Sequence, residues 1–268
     1  MLDDARRLDL TKPSAARLYD HYLGGQHHYP VDEEFAARVT ALCPFTPDLA
    51  IHNRGFLTRA VSTLAAAGIR QFIDIGSGIP TAPNVHQIAR AAAPNSRVVY
   101  VDFDGEAIAT AQRELAGEPD AAMIHGDLRD PESILDNPTL RDLLDLTEPV
   151  GLLIVAVLHF VDPADKPDAL LARYLEVLPS GSYLVASHAT AEEATEEARR
   201  QLRAAQQAYG STPNPSTFRS REEFTRFFSG LDLIDPGVTF TADWRSVTPL
   251  PADDPARPCF LAAVGRKP

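Results

Sequence analysis

An α/β architecture, a largely parallel sheet covered by helices on both faces, is the fold class that the sequence predicts, and three observations predict it. Apolar runs of strand length alternate with segments of helical period from residue 69 onward. One of those runs, GLLIVAVL at 151–158, is apolar throughout, as a central strand buried on both faces should be. A glycine turn, Gly76-Ser77-Gly78, stands where the first run hands over to the first helical segment. Strict alternation implies right-handed βαβ units, and so a Rossmann-like sheet.

The elements follow in order. Residues 1–68 precede the first strand and read as helical: SAARLYDHYL stopped by Gly24 and Gly25, then VDEEFAARVTAL, then LAIHNRGFLTRAVSTLAAAG stopped by Gly68. Nothing in a bare sheet domain requires them, so they are expected to form an N-terminal helical cap or lid. Residues 69–268 are expected to form one sheet domain. Its strands are IRQFIDI, RVVYVD, AAMIH, VGLLIVAVLHFV and GSYLVASH, and its helices are APNVHQIARAAA, GEAIATAQRELA, PESILDNPTLRDLLDL and PDALLARYLEVL. A helical insertion is expected around 190–218, a polar helix followed by a loop rich in Pro, Ser and Thr, with Glu196 and Arg200 spaced to pair. SREEFTRFFSGL then opens with a capping box of Ser220 and Glu223, and GVTFTA and CFLAAVG close a seven-strand plan as a hairpin.

Composition narrows the function. The 268 residues are 44% hydrophobic, enough for one large core. Thirty-seven acidic against 25 basic side chains give a formal net charge of -12, and no Lys/Arg cluster offsets it, so a nucleic-acid partner is not expected. Cys43 and Cys259 stand apart from any C-x-x-C spacing, which argues against a disulfide framework or a thiolate metal site. His27 and His28 are adjacent and lack a third ligand at metal spacing, so no metal is expected. The N-terminal stretch has no apolar targeting core and no run is long enough to span a bilayer, so the expected setting is cytoplasmic with no membrane partner.

The candidate site begins at the strand-to-helix turn. Asp74 ends the first strand, Gly76 permits a tight turn and Gly78 permits close approach of the backbone to a ligand, but Pro80 lies where a pyrophosphate loop would want a third glycine. Asp102 ends the second strand 24 residues beyond Gly78, near the ~20 at which a carboxylate grips a ribose diol. Asp127 follows the third strand. An acid before the glycines repels a pyrophosphate but suits an ammonium. S-adenosylmethionine offers an α-ammonium, a ribose diol and an adenine amino group, matching Asp74, Asp102 and Asp127 in that order, and this favours it over NAD or ATP.

Further along, the residues leave alternatives open. His159, in the fourth run, is either a general base facing the acceptor or a histidine packed against the adenosine, and His188 is a second candidate of the same kind. Tyr19 and Tyr22, at i and i+3, either pack in a core or close over the cofactor beside Gly24 and Gly25. Asn53 and Arg54 could meet the cofactor carboxylate, and a surface ion pair accounts for Arg54 equally well.

At these residues the chain resembles a family. DIGSG at 74–78, VDFD at 101–104 and GDL at 126–128 resemble motifs of class I S-adenosylmethionine-dependent methyltransferases, whose sheet has seven strands with an antiparallel last strand. PSAARLYDHYLGG, NRGFLTRAV, QFIDIGSGIPTAPNVH, DLRDPESIL, VAVLHFV, GSYLVASHAT, TFRSREEFTRFF and the terminal GRKP are together similar to a bacterial S-adenosyl methyltransferase family long filed as a domain of unknown function. The resemblance implies a methyltransferase that leaves S-adenosylhomocysteine as product and acts on a small-molecule acceptor. It adds Ile75, Ser77, Pro80, Phe103, Leu128 and Ala156 to the expected cofactor contacts, and His159 and Tyr22 to the expected catalytic groups. A cofactor-binding regulator that transfers nothing is the alternative, and an NAD(P)-dependent oxidoreductase is disfavoured by Asp74 and the missing third glycine.

Overall fold

The computed structural model describes residues 11–268, so the first ten residues of the expected cap lie outside the described residues. Five strands form the parallel part of the sheet: β1 Gln71–Ile75, β2 Arg97–Asp102, β3 Ala121–His125, β4 Gly151–Ile154 and β5 Tyr183–Ala189. Three more follow: β6 Asp232–Leu233, β7 Thr239–Phe240 and β8 Phe260–Arg266. The order is β3-β2-β1-β4-β5-β8-β6, and β7 also pairs with β8. Strands β1 to β5 are mutually parallel and β8 runs antiparallel to β5. The chain order reverses between β1 and β4, which opens a crevice at the carboxyl ends of those strands.

The sheet has eight strands where the hairpin plan predicts seven, because the strand opposite β8 is broken. Asp232–Leu233 and Thr239–Phe240 each contribute two residues, and Pro236 and Gly237 lie between them. Proline has no N–H for the ladder, so pairing stops there and resumes beyond it.

Two other expectations change. The apolar run at 150–161 is strand only to Ile154; Ala156 then turns at φ 59° and Leu158–Phe160 form a 3-10 turn. Apolarity there reflects burial around a turn and not strand continuation. PESILDNPTLRDLLDL is two short helices, α6 Pro131–Leu135 and α7 Pro138–Leu143, because Pro138 starts a new helix capped by Asn137.

Among the described residues three helices precede the sheet: α1 Ala15–Tyr22, α2 Pro30–Leu42 and α3 Thr46–Ala66. Apolar periodicity along the second half of α3 sets Phe56, Ala60, Val61 and Leu64 against Phe72, Leu153, Val185 and Val264 of the sheet, all fully buried. Truncating one such leucine, Leu64, to alanine should cost about 2–5 kcal/mol. The start of α3 belongs to a different cluster. There Leu49 joins Leu18 of α1, Phe35 and Val39 of α2, and Leu202 and Ala205 of a later helix, α9 Glu196–Tyr209. α1, α2 and α9 therefore share one small core that stands over the carboxyl end of the sheet. On the opposite sheet face Ile73, Val99 and Leu152 pack with Leu171 and Tyr174 of α8 Pro167–Val177 and with Phe224 of α10 Arg221–Arg226.

On α9 the ion pairs form at i,i+3: Arg199 with Glu196 at 3.0 Å and Arg200 with Glu197, so the expected Glu196–Arg200 pair is not made. No helix among the described residues is long and apolar enough to cross a membrane, and no group of three or more His, Cys, Asp or Glu among them could hold a metal ion.

Candidate functional site

The turn after β1 sets the floor of the site. Gly76, at φ 70°, donates its N–H to the Val101 carbonyl at 2.8 Å, and Ser77 donates to the same carbonyl at 3.1 Å. A Cβ at position 76 would lie 2.3 Å from Val157 Cγ2, so glycine is required there by packing as well as by conformation. Gly78, at φ 65°, faces open space and donates to Asp102 Oδ2 at 2.8 Å. The second oxygen, Asp102 Oδ1, accepts the Asp104 N–H at 2.8 Å. Asp104 in turn caps α5 Gly105–Glu114 through the Glu106 and Ala107 amides and accepts Ser14 Oγ at 2.6 Å.

Asp74 and Asp102 are both buried at 6% exposure. Burial raises Asp74 to about 7, with Arg54 opposing and Asp102 adding to the rise. Burial raises Asp102 to about 6 against the lowering effect of its two backbone donors. Two desolvated carboxyls side by side disfavour their own charge and favour an incoming cation. Arg54 does not discharge them. Its Nη2 donates to the carbonyls of Thr81 and, at 2.7 Å, of Pro83, and it forms no ion pair among the described residues, contrary to the surface-pair expectation.

A cavity of about 240 Å3 runs from these acids to the helical core above them. A single water needs only ~10–15 Å3, so this is a space of ligand size. Its wall includes Tyr19, Tyr22, Arg54, Asp74, Gly76, Ser77, Gly78, Asp102, Phe103, Ala156 and His159. Gly24, Gly25, Ile75, Pro80, Asp127 and Leu128 are not part of that wall. Gly24 and Gly25 turn the chain after α1, and a Cβ at 25 would strike the Asp20 carboxylate. Asp127 is taken up by Arg129, with Nη2 to Oδ2 at 2.5 Å, and this bond holds its carboxyl below the usual range. Leu128 is buried and its carbonyl accepts the Tyr174 hydroxyl at 2.9 Å.

Several wall residues are held by a relay of hydrogen bonds. Tyr19 donates to the Ala50 carbonyl at 3.1 Å and accepts from Asn53 Nδ2 at 2.8 Å; Ser187 Oγ donates to Asn53 Oδ1 at 2.6 Å and accepts the Ala156 N–H at 2.8 Å. The relay joins α1, α3, β5 and the left-handed residue after β4. An alanine at φ 59° is uncommon, and such conformations gather where a site over-determines them.

His159 sits in the 3-10 turn, buried at 6% exposure, with ring centroids 4.1 Å from Phe160 and 5.4 Å from Phe260. Burial, with His188 and Arg219 nearby, lowers its pKa well below the ordinary value, so the imidazole is neutral at pH 7. His188 lies outside the cavity wall. Its Nδ1 donates to the Ala189 carbonyl and its Nε2 accepts from Arg219 Nη1 at 2.7 Å, which fixes the tautomer, and burial lowers it to about 3. Arg219 also donates to the Leu158 and Val161 carbonyls, at 2.9 and 3.0 Å, and so clamps the turn that carries His159. Tyr22 is pushed up to about 12 by burial, which leaves its hydroxyl protonated and unsuited to act as a base.

Two buried wall atoms have no protein partner, Ser77 Oγ and His159 Nδ1, and the Tyr22 hydroxyl has only that of Tyr209 beside it. Unpartnered buried polar atoms cost about 1–3 kcal/mol each unless a ligand meets them, and both belong to the wall of one cavity. No pattern of period or spacing marks Ser187, Tyr209 or Arg219 as part of the site. Asp104 was readable as a helix cap in DGEA, but not as a wall residue.

The model of a family described as S-adenosyl methyltransferase matches residues 2–268. A DUF574 family protein from Streptomyces avermitilis is 41% identical, with TM-score 0.92 over 98% of this chain and 100% of that one. A protein from Thermobifida fusca assigned as a methyltransferase is 34% identical, with TM-score 0.91 over 100% of this chain and 99% of that one. At 18% identity, the fold alone is shared with N,N-8-amino-8-demethyl-D-riboflavin dimethyltransferase from Streptomyces davawensis, with TM-score 0.50 over 96% of this chain and 63% of that one. No curated protein matches. With a match across nearly its whole length, the chain belongs to the S-adenosyl methyltransferase family, and its methyl donor is S-adenosylmethionine.

Proposed function

We propose that the enzyme methylates a small molecule enclosed between the sheet edge and the helices above it. The observation that carries the proposal is the single cavity that begins at Asp74 and Asp102 and ends among Tyr22, Leu202 and Tyr209. Enclosure between the sheet edge and the helices suits a small acceptor, and the net charge of -12 disfavours an acceptor on a nucleic acid.

Bound S-adenosylmethionine supplies an electrophilic methyl group on a sulfonium centre, which passes to the acceptor as the S–CH3 bond breaks with its electron pair to sulfur. Asp74 would receive the ammonium, a role supported by its place in the cavity wall and by its burial, whose penalty on the carboxylate an incoming cation would offset. Asp102 would hold the ribose hydroxyls with the lone pairs left free by Gly78 and Asp104. Phe103, half-exposed in the wall, would lie against the adenine face. Ser77, Gly76 and Gly78 would line the amino-acid end, and Arg54 would stiffen the 81–83 segment behind them. Tyr19 and Ala156 would shape the middle through the Asn53 relay. His159 would accept a hydrogen bond from the acceptor; its lowered basicity favours alignment over full proton removal.

In this reading the described part of the 1–68 cap, residues 11–68, and the 190–218 insertion supply the lid, and 69–268 is the sheet domain. A cytoplasmic setting agrees with two free, buried cysteines. Calorimetry tests the proposal: S-adenosylmethionine and S-adenosylhomocysteine should bind with micromolar affinity and NAD should not. NAD binding as tight as S-adenosylhomocysteine would overturn the assigned roles of Asp74 and the glycine turn.

A further inference from the structure

The wall of the cavity divides by charge. Its ionic side chains, Arg54, Asp74, Asp102 and Asp104, all belong to the sheet-edge end or the helix beside it. The other end is built on the small core of α1, α2 and α9, and its wall there contains no Asp, Glu, Lys or Arg. Aromatic rings line it instead, together with the neutral polar residues Thr46, Gln206, Asn214 and Ser216. His159 lies between Phe160 and Phe260, and Phe160 reaches Tyr209 at 6.4 Å between centroids. Val39, Leu49 and Leu202 complete the apolar surface.

The wall there holds a buried imidazole nitrogen with no protein partner, His159 Nδ1, and a buried hydroxyl, Tyr22 Oη, that faces only the Tyr209 hydroxyl. Neither carries charge at pH 7: burial holds the phenol protonated and the imidazole neutral. A carboxylate, phosphate or ammonium on the acceptor would therefore be desolvated with no counter-charge, which is the most costly arrangement an interior can hold. A flat ring, by contrast, finds aromatic neighbours at the 4.5–7 Å spacings that ring pairs prefer.

We infer that the acceptor is an uncharged aromatic molecule whose reacting hydroxyl or amine hydrogen-bonds with His159 and Tyr22, and that this apolar end selects against charged analogues. The inference rests on the reading that the acidic end holds S-adenosylmethionine. It concerns only the lid end, so the two can fail separately.

The test uses the full-length protein saturated with S-adenosylhomocysteine and three naphthalene probes that share one ring system: 1-naphthol, 1-naphthoate and 1-naphthylmethylammonium. Calorimetry at pH 7 should show 1-naphthol binding and the two ions binding at least about tenfold more weakly, as unpaired burial of charge requires. Leu202→Trp, or Ala205→Leu should that variant not fold, fills the apolar end. Either should remove 1-naphthol binding while S-adenosylhomocysteine affinity stays within about threefold of the parent. No 1-naphthol binding to the loaded parent protein, or an ion bound as tightly as 1-naphthol, overturns the inference and leaves the cofactor reading standing. Failure of S-adenosylhomocysteine to bind overturns both.

Discussion

Ser14 Oγ donates to the Asp104 carboxylate at 2.6 Å, and so ties the residue ahead of α1 to the residue that caps α5. The Asp104 amide is bonded to Asp102, so the lid is joined by two hydrogen bonds to the proposed ribose acid. Tyr29 repeats the bridge two residues further along α5, donating to Glu106 at 3.3 Å.

Ser14→Ala should loosen α1 without disturbing the sheet. A hydrogen bond to a carboxylate at a half-buried site contributes about 1–2 kcal/mol, so S-adenosylhomocysteine affinity should fall roughly five- to thirtyfold. Hydrogen exchange should quicken in α1 and not in β1 or β2. Unchanged affinity together with unchanged exchange would show that the bridge does not hold the lid.

Asp102→Ala should damage stability as well as binding. The carboxylate is the acceptor for both Gly78 and Asp104, and each abandoned amide costs about 1–3 kcal/mol. Asp102→Asn keeps one acceptor oxygen, so its melting temperature should lie between those of the parent and the alanine variant. A fully stable Asp102→Ala protein would mean that water replaces the side chain.

Acidification should act in opposite directions on the empty and the liganded protein. Asp74 and Asp102 have folded-state values raised to about 7 and about 6. The folded chain therefore binds protons more tightly than the unfolded chain, whose carboxyls titrate near ~4. Their contribution to stability is fullest below that unfolded value and is lost as pH rises through 6 and 7. A cationic ammonium needs the ionised Asp74, so affinity should fall below pH 7, by at most about tenfold per pH unit for one proton. Thermal melts from pH 8 to 5.5, with and without S-adenosylhomocysteine, would read both slopes, and Asp74→Asn should flatten each. A ligand-induced rise in melting temperature that grows on acidification would contradict the assignment of Asp74.

Arg219 is expected to act at a distance. Arg219→Leu strips a donor from the Leu158 and Val161 carbonyls and from His188 Nε2, and should lower stability by about 2–4 kcal/mol. Arg219→Lys restores charge but not the fork, so it should recover only part of that loss. If the role is to position His159, binding of an acceptor probe should weaken more than binding of S-adenosylhomocysteine. Equal weakening of both would reduce Arg219 to a structural support.

The floor of the site was legible because its chemistry is local. Asp74, Gly76, Gly78 and Asp102 stand at strand ends that period and turn residues announce, and the structure sets all four in one wall. Asp127 was read by the same logic, but one residue beyond Gly126 the side chain turns to Arg129, a contact two positions away that strand register does not convey. The middle and upper walls were illegible for a different reason. Ser187 meets Asn53 across 134 residues, and Tyr209 faces Tyr22 only because α9 packs on α1 and α2. Apolar continuity at 150–161 hid the turn at Ala156, since an apolar run reads the same whether it continues a buried strand or turns along a cavity wall.

The break at Pro236 and Gly237 also bears on how molecules of this protein meet one another. An edge strand with a long free row of amides and carbonyls is a template onto which a second copy can add its own strand, the first step of edge-to-edge aggregation. Here that margin of the sheet is β6, two residues long, with a prolyl nitrogen close behind it. So short a template gives an incoming strand too few ladder bonds to offset the entropy of ordering it. Concentrated solutions should therefore resist sheet-extending association through this margin, and substituting Pro236 by a strand-forming residue such as valine should weaken that protection.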